Sequence, residues 1–406
     1  MRKFNKIMLG LSALLLVTMM VGINTGTACE DYGSNPDMTI TSPAIKGYAK
    51  WKSSNGQSYL LVNTRDYYSL GYLTGKGLLN QILTMDAIIK SLISSYGFDL
   101  QEILYYAQIY EMYVPMEYKN EMQGMADATS LSYIDILLQV VFLDLYYGVL
   151  IPAQIGIEGV GACTALAIKN TKWHVIIGQN MDFGLPFLPT LAYVKHTIMG
   201  KQAVFSLRMG ASTLAIGKNK RVSSTITLVQ TWKMANFGVP TGIKARIAFE
   251  NCKSASEFFK VMTSSYCASW NYIISDSKGN VLAAETLPGS SIIKNLKFGE
   301  NAVRTNTYIS EDLKMFLIDP TYSIPRQMKA EELLNSKQES KWFVREKDLM
   351  AILCYYDGTE ASVCRFPDPV DPTHVCTEAF FVSSGVRMGY FGIGNPIQNT
   401  WGRIPI

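Results

Sequence analysis

Histidine is nearly missing from this chain: three in 406 residues, His174, His196 and His374. A Cys/His or Ser/His/Asp mechanism needs an imidazole base. His174 follows Cys163 in a strand-like run and His374 lies in the Pro/Asp-rich loop 367–375. Both read better as surface or core-edge residues than as bases. Charge is also scarce, at 17% of residues, and the net charge is only +4. No Lys/Arg-rich run and no basic stripe interleaved with aromatics occurs, which argues against nucleic acid as a partner. C-x-x-C is absent and the histidines are scattered, so a structural zinc site is not expected, nor any other metal or cofactor. No Asn-x-Ser/Thr sequon, internal repeat or low-complexity linker is present.

What is there reads as globular. Hydrophobic residues make up 48% of the chain, enough for a full core in one large or two ordinary domains. Residues 1–28 read as a signal peptide: Arg2, Lys3 and Lys6 precede an apolar run from Ile7 to Ile23, followed by the small residues Gly26-Thr27-Ala28. The alternatives are an uncleaved anchor and lipidation of Cys29, the one contact with a membrane that is expected. Each puts the folded part outside the cytoplasm, secreted or at the cell surface. There are seven cysteines: Cys29, Cys163, Cys252, Cys267, Cys354, Cys364 and Cys376. With Cys163 free, six remain. Cys364/Cys376 and Cys252/Cys267 are the nearest in sequence, but buried free thiols fit as well.

Residues 46–63 read as two strands about the turn Ser53-Ser54-Asn55-Gly56. Residues 67–149 read as helices, with Leu73, Leu78, Leu79, Ile82 and Leu83 at helical spacing. A third helix is expected over 116–128 and a fourth over 132–148, started by Ser132 with Asp135 three residues on. Gly71-x-x-x-Gly75-Lys76-Gly77 lacks the spacing and the hydroxyl of a phosphate loop, so its glycines are expected to let the first helix pack closely. From about 160 strands take over: Cys163–Ile168, His174–Asp182, 191–197, 203–208, 213–216 and 223–230. Helices are expected at 241–251 and 254–264, strands at 270–275 and 280–285, helices at Arg326–Leu334 and Glu346–Ile352, and strands again over 376–392. Two stacked sheets covered by helices follow from this order.

The stretch Gly161-Ala162-Cys163-Thr164, running on to Gly178-Gln179-Asn180-Met181-Asp182-Phe183, carries the chemistry. A hydrolase this poor in histidine needs another base. An α-amino group titrates near pH 8 and can serve if the nucleophile is itself the first residue of a chain. That requires cleavage between Ala162 and Cys163, where the residues are suitably small. It also needs an anion for the ammonium, and Asp182 is the best local one, together with a donor for the tetrahedral oxyanion. A tight two-residue turn at Asn170-Thr171 would leave Asp182 about 13 Å beyond Cys163. The hairpin loop must therefore be longer, or the chain must bend after Gly178.

These residues resemble the start of the β-chain in acyl-coenzyme A:6-aminopenicillanate acyltransferases, a family of N-terminal-nucleophile (Ntn) hydrolases. Further motifs follow in order. Gly238 to Glu250 resembles the family's Gly-Val-Pro helix, and Thr305-Asn306 stands where the family has His-Thr-Asn-His. Ser362-Val363-Cys364-Arg365 resembles its late Ser-Ile-Cys-Arg, and Gly394-Asn395-Pro396 its terminal turn. The resemblance implies an α+β fold, a four-layer αββα Ntn-hydrolase sandwich. Its parts would be a mainly helical α-chain segment over 29–162 and a catalytic β-chain over 163–406, associated after processing. It implies Cys163 as nucleophile, Asp182 as the residue orienting its amine, and Asn306 as an oxyanion donor. Asn180, Thr164, Glu285 and Arg304 become supporting or substrate-side candidates, Glu285 and Arg304 for substrate binding. Ala162 replaces the family's usual glycine, and Arg304 and Thr307 replace or displace its flanking histidines, which puts a penicillin-type substrate in doubt. Bile-salt hydrolases and acid-ceramidase-like amidases carry arginine where this chain has Gln179.

The expectation is an exported, self-processing hydrolase of a small linear acyl amide, working through a Cys163 acyl-enzyme. Transfer of the acyl group to an amine is the enzymatic alternative. A non-catalytic exported binding protein of the same fold is the rival from another class.

Overall fold

The structure is a computed structural model that describes residues 39–153 and 161–405, apart from 43, 173, 320, 342, 369, 370, 372 and 373. The expected signal peptide and Cys29 lie outside the described residues.

Two sheets stack at the centre. The larger has ten strands in the order β1-β2-β3-β6-β7-β8-β9-β10-β11-β12. It comprises β1 (Thr39–Ile40), β2 (Gly47–Ser54), β3 (Gln57–Thr64), β6 (Leu191–Ile198), β7 (Val204–Met209), β8 (Ser212–Lys218), β9 (Val222–Leu228), β10 (Trp270–Asp276), β11 (Val281–Leu287) and β12 (Ser290–Asn295). The smaller runs β13-β4-β5-β14-β15-β16. Its members are β4 (Gly161–Lys169), β5 (Val175–Gly184), β13 (Asn301–Arg304), β14 (Val375–Ser384), β15 (Met388–Ile393) and β16 (Gly402–Pro405).

Strand alternation sorts the layers. On β4, Ala165 and Ala167 face the larger sheet and pack with Ile273, Val281 and Ala283. Leu166 and Ile168 point the other way, onto α8 (Ile324–Ser340) and α9 (Glu346–Leu353), through Ala330, Leu334, Leu349 and Ile352. The far face of the larger sheet is covered by α1 (Tyr67–Gly77), α2 (Leu79–Ser95), α3 (Leu100–Glu111), α4 (Met116–Thr129), α5 (Tyr133–Leu145), α6 (Thr241–Asn251) and α7 (Ala255–Met262). The layer order is αββα, as the motifs implied.

The helical expectations hold closely. Ser132 caps α5 in a reciprocal capping box with Asp135. The helix runs on through a π-turn at Tyr146–Leu150 to Ala153. This stretch is long and apolar enough to pass for a membrane span, yet it is mostly buried as a core helix. The glycines of α1 do let it pack closely. A side chain on Gly71 would sit 1.9 Å from the Glu121 carbonyl oxygen on α4, and one on Gly75 would meet Ala128.

One correction follows. The strands β1, β13 and β16 have two to four residues, too few to show a period, and β12 is mostly exposed, so periodicity missed all four. Cys163, Cys252, Cys267, Cys354, Cys364 and Cys376 are all free thiols, the second of the two arrangements that the spacing left open.

Candidate active site

The hairpin question is settled by a long connection. Lys169 pairs with Val175 across a five-residue link, and this register sets Ala162 opposite Asp182 and Cys163 opposite Met181. Cys163 shares a face with Ala165 and Ala167, so it looks toward the larger sheet.

Three elements converge there. The Cys163 N–H donates to Asn306 Oδ1 at 2.7 Å. Asn306 follows β13, which pairs with β4, and its Nδ2 donates to the Leu228 carbonyl at the end of β9, 2.9 Å away. Asp182 is fully buried. Its Oδ1 accepts from Thr377 Oγ1 at 2.8 Å, while Oδ2 has no hydrogen-bond partner among the described residues. Burial raises the Asp182 carboxyl above the ordinary range, against the pull of the Arg326 and Arg365 charges and the Thr377 bond.

Arg326 was not singled out from the sequence. It sits in the first turn of α8, wholly buried, and its Nη2 donates to Asn306 Oδ1 at 2.7 Å and to Ser323 Oγ at 3.1 Å. Two donors on one oxygen fix the orientation of the Asn306 amide. Arg326 Nε and Nη1 and the Tyr322 hydroxyl are buried with no partner among the described residues. Burial, then the neighbouring Arg365 charge, lowers the Arg326 guanidinium to about 10. The only foreshadowing in the sequence is a cation early in a helix whose other inward residues are mostly apolar.

The Cys163 thiol is pushed up to about 12, first by burial and then by the Asp182 charge; hydrogen bonding to the Asp182 and Leu228 backbone and the Arg326 charge pull down. It rests as a protonated thiol. No histidine attends it. His174 sits in the β4–β5 link beside Asn170. His196 is buried against Glu250.

The late motifs around Cys364-Arg365 and Asn395 meet beside Asp182. Thr377, the partner of Asp182, accepts from the Arg365 N–H, and Asn395 Nδ2 donates to the Arg365 carbonyl. Cys364 Sγ donates to Asn395 Oδ1 at 3.3 Å. Asn180 Nδ2 donates to the Leu353 and Val363 carbonyls. Gln179 holds the two sheets together by bonding both the N–H and the carbonyl of Ile226. Thr164 is buried directly after the cysteine. Arg304 and Glu285 flank the segment that carries Asn306. They pair with each other, Nε to Oε1 at 3.3 Å, and Glu285 accepts the Ile309 and Ser310 N–H groups. Neither lines the cavity at Cys163.

That cavity holds about 540 Å³ of space, part of it open to solvent. Cys163 stands in its wall with Leu143, Phe183, Ile216, Leu228 and Trp270. Asp144 also borders it and accepts from the Thr241 N–H and Oγ1, both at 2.5 Å, capping α6. The Tyr-rich stretch 105–118 and the loop 184–190 contribute nothing to its wall. Among the described residues no group of three His, Cys, Asp or Glu side chains converges to hold a metal.

Residues 173–364 match the sequence model of a family described as acyl-coenzyme A:6-aminopenicillanic acid acyl-transferase. The resemblance to that family therefore stands. The matched residues hold Asp182, Asn306 and Arg326; Cys163 lies ten residues before them. No curated protein matches the chain. Among solved structures it is similar to penicillin V acylase from Agrobacterium tumefaciens, at 14% identity and a TM-score of 0.39, covering 57% of this chain and 83% of that one. Two variants of conjugated bile acid hydrolase from Clostridium perfringens match at 12% identity and 0.40, covering 60% and 92%. The layer order above rests on this chain's own packing.

Proposed function

We propose that the protein is an exported, self-processing Ntn hydrolase that cleaves a linear acyl amide through a Cys163 acyl-enzyme. One observation carries this reading. The nitrogen of the Ala162–Cys163 bond is held by Asn306, while the unpartnered Asp182 Oδ2 belongs to the residue facing Ala162 across the strand pair. A buried carboxylate oxygen without a partner calls for an explanation. An ammonium released at Cys163 is a natural one.

In self-processing, Cys163 Sγ attacks the Ala162 carbonyl carbon. The C–N bond breaks, the nitrogen gains a proton, and a thioester forms. Water then hydrolyses the thioester to leave Ala162 as a carboxylate. The freed α-amine stands on the same Cα as the thiol and supplies the base that no histidine provides. In turnover it takes the thiol proton, Sγ attacks the substrate carbonyl, the amine leaves protonated, and water releases the acid. Arg326 Nε and Nη1 and the Tyr322 hydroxyl are buried donors free to meet the oxyanion. The Asn306 amide, engaged on both sides in the uncut chain, would have to let go of Leu228 to act as that donor. The two fragments would remain one molecule, because β3 lies parallel to β6 in one sheet.

The test is intact mass and N-terminal sequencing of purified protein. Two fragments, one starting at Cys163, are expected, and Cys163→Ala should remain one chain. A single uncut wild-type chain whose Cys163 resists a thiol reagent would overturn the proposal. The description of the matched family favours transfer as a second reading. A model acyl amide with and without an added amine separates them by the presence of a transfer product.

A further inference from the structure

The cavity at Cys163 is not the end of the open space on that side of the molecule. A second one adjoins it, with about 260 Å³ of space, part of it open to solvent, bordered by Tyr118, Glu121, Met125, Arg208, Ile243 and Arg246 among others. Val140, Thr213 and Gly242 border both and form the partition. Glycine is needed at 242 because a Cβ there would stand 2.8 Å from Ser212 Oγ and 3.0 Å from the Thr213 carbonyl oxygen.

The two chambers differ in chemistry. The first is walled mainly by apolar side chains. The second is bounded by a buried ionic network. Glu121 Oε1 accepts from Arg208 Nη2 at 3.0 Å and Arg246 Nη1 at 2.5 Å. Arg246 Nη2 also donates to Glu250 Oε1 at 2.6 Å, and the Tyr67 and Tyr118 hydroxyls donate to Glu250 Oε2. Two carboxylates face two guanidiniums, and His196 stays neutral because burial and the Arg246 charge hold it down to about 4. The network therefore balances.

Three of its atoms are left over: Glu121 Oε2, Arg208 Nε and His196 Nδ1 make no hydrogen bond among the described residues. Glu121 and Arg208 border the second chamber and are more than nine-tenths buried, whereas His196 does not border it. One spare acceptor and one spare donor match a single group that can donate and accept. An ionised group would add an unpaired charge to a balanced, buried cluster, which is costly. A hydroxyl or carboxamide would not.

We propose that the acyl chain runs from Cys163 past Val140 and Thr213 into the second chamber, and that the preferred substrates are acyl amides whose acyl group ends in a neutral donor–acceptor such as a hydroxyl. Glu121 and Arg208 are then specificity-determining residues remote from the reacting carbonyl. This rests on Cys163 being the nucleophile.

The experiment uses the full chain and straight-chain acyl amides of rising length, each with and without a terminal hydroxyl. Turnover is followed by product release, and acylation of Cys163 by intact mass. Above a threshold length the hydroxylated member of each pair should be favoured in kcat/KM by about tenfold or more. Val140→Phe, which fills the partition, should abolish that ratio, and Val140→Leu should reduce it. Turnover of short amides with no hydroxyl preference at any length overturns this inference and leaves the Cys163 reading intact. A preference that survives Val140→Phe also overturns it. Failure of every amide to acylate Cys163 overturns both.

Discussion

Asn306 Oδ1 receives two donors, the Cys163 N–H and Arg326 Nη2, so the residue holds the backbone nitrogen rather than the thiol. Asp182 is the complementary piece. Asp182→Asn keeps the shape and removes the anion. On the proposed reading turnover of a model acyl amide by the cut chain should fall about 100-fold or more, measured as kcat/KM, with no loss of thermal midpoint. A rate within a factor of about two of wild type would remove Asp182 from the mechanism. Cys163 and Asp182 were legible because Gly-Gln-Asn-Met-Asp-Phe is compact and local. Asn306 was legible only through the family's motif order. Arg326 was not, because Asn306, the partner that brings it to the site, lies 20 residues away in sequence and nothing near it marks a buried guanidinium.

At the scale of elements, the close fit of α1 on α4 supports the network behind the second chamber. Gly124 on α4 returns the contact: a Cβ there would lie 2.2 Å from the Tyr68 carbonyl oxygen. Gly71→Ala must therefore push the helices apart where α4 presents Glu121. A loss of about 1–3 kcal/mol is expected in a denaturant titration; unchanged stability would mean that the helices slide freely. Helix periods and the Ser132 cap were readable because each is written within a few residues. The β4–β5 register was not, because its long link left the pairing open.

For the molecule as a whole, two stacked sheets covered by helices followed from the order of strand and helix runs and the αββα sandwich from the family resemblance, but sheet membership followed from neither. The parallel pairing of β3 with β6 joins distant parts of the chain, which no local pattern encodes. The interior also holds a cation without a counterpart. Lys218 is fully buried, its Nζ has no hydrogen-bond partner among the described residues, and burial lowers it to about 7. Lysine in the unfolded chain titrates near 10.4, so between those values the unfolded state binds more protons and stability climbs with pH. Lys218→Met should stabilise the protein at neutral pH by about 2–4 kcal/mol, the gain fading as pH rises from about 7 toward 10 in a series of thermal melts. His196, fully buried and held down to about 4, acts at the acid end. The unfolded chain takes up its proton first, so stability drains away as pH falls from about 6.5 toward 4. His196→Gln should flatten that limb of the curve.

The bond from Asn306 to the Cys163 nitrogen spans 143 residues of sequence. Asn306 can reach that nitrogen only when β13 has docked on β4. A chain that cuts itself there is keeping a record. If the chain cuts itself with Asn306 in place, synthesis must have passed residue 306 and β13 must have paired with β4 before the bond breaks. The cut fraction in a culture would then count finished molecules, and a variant that folds slowly would betray itself as an uncut band long before any assay of activity.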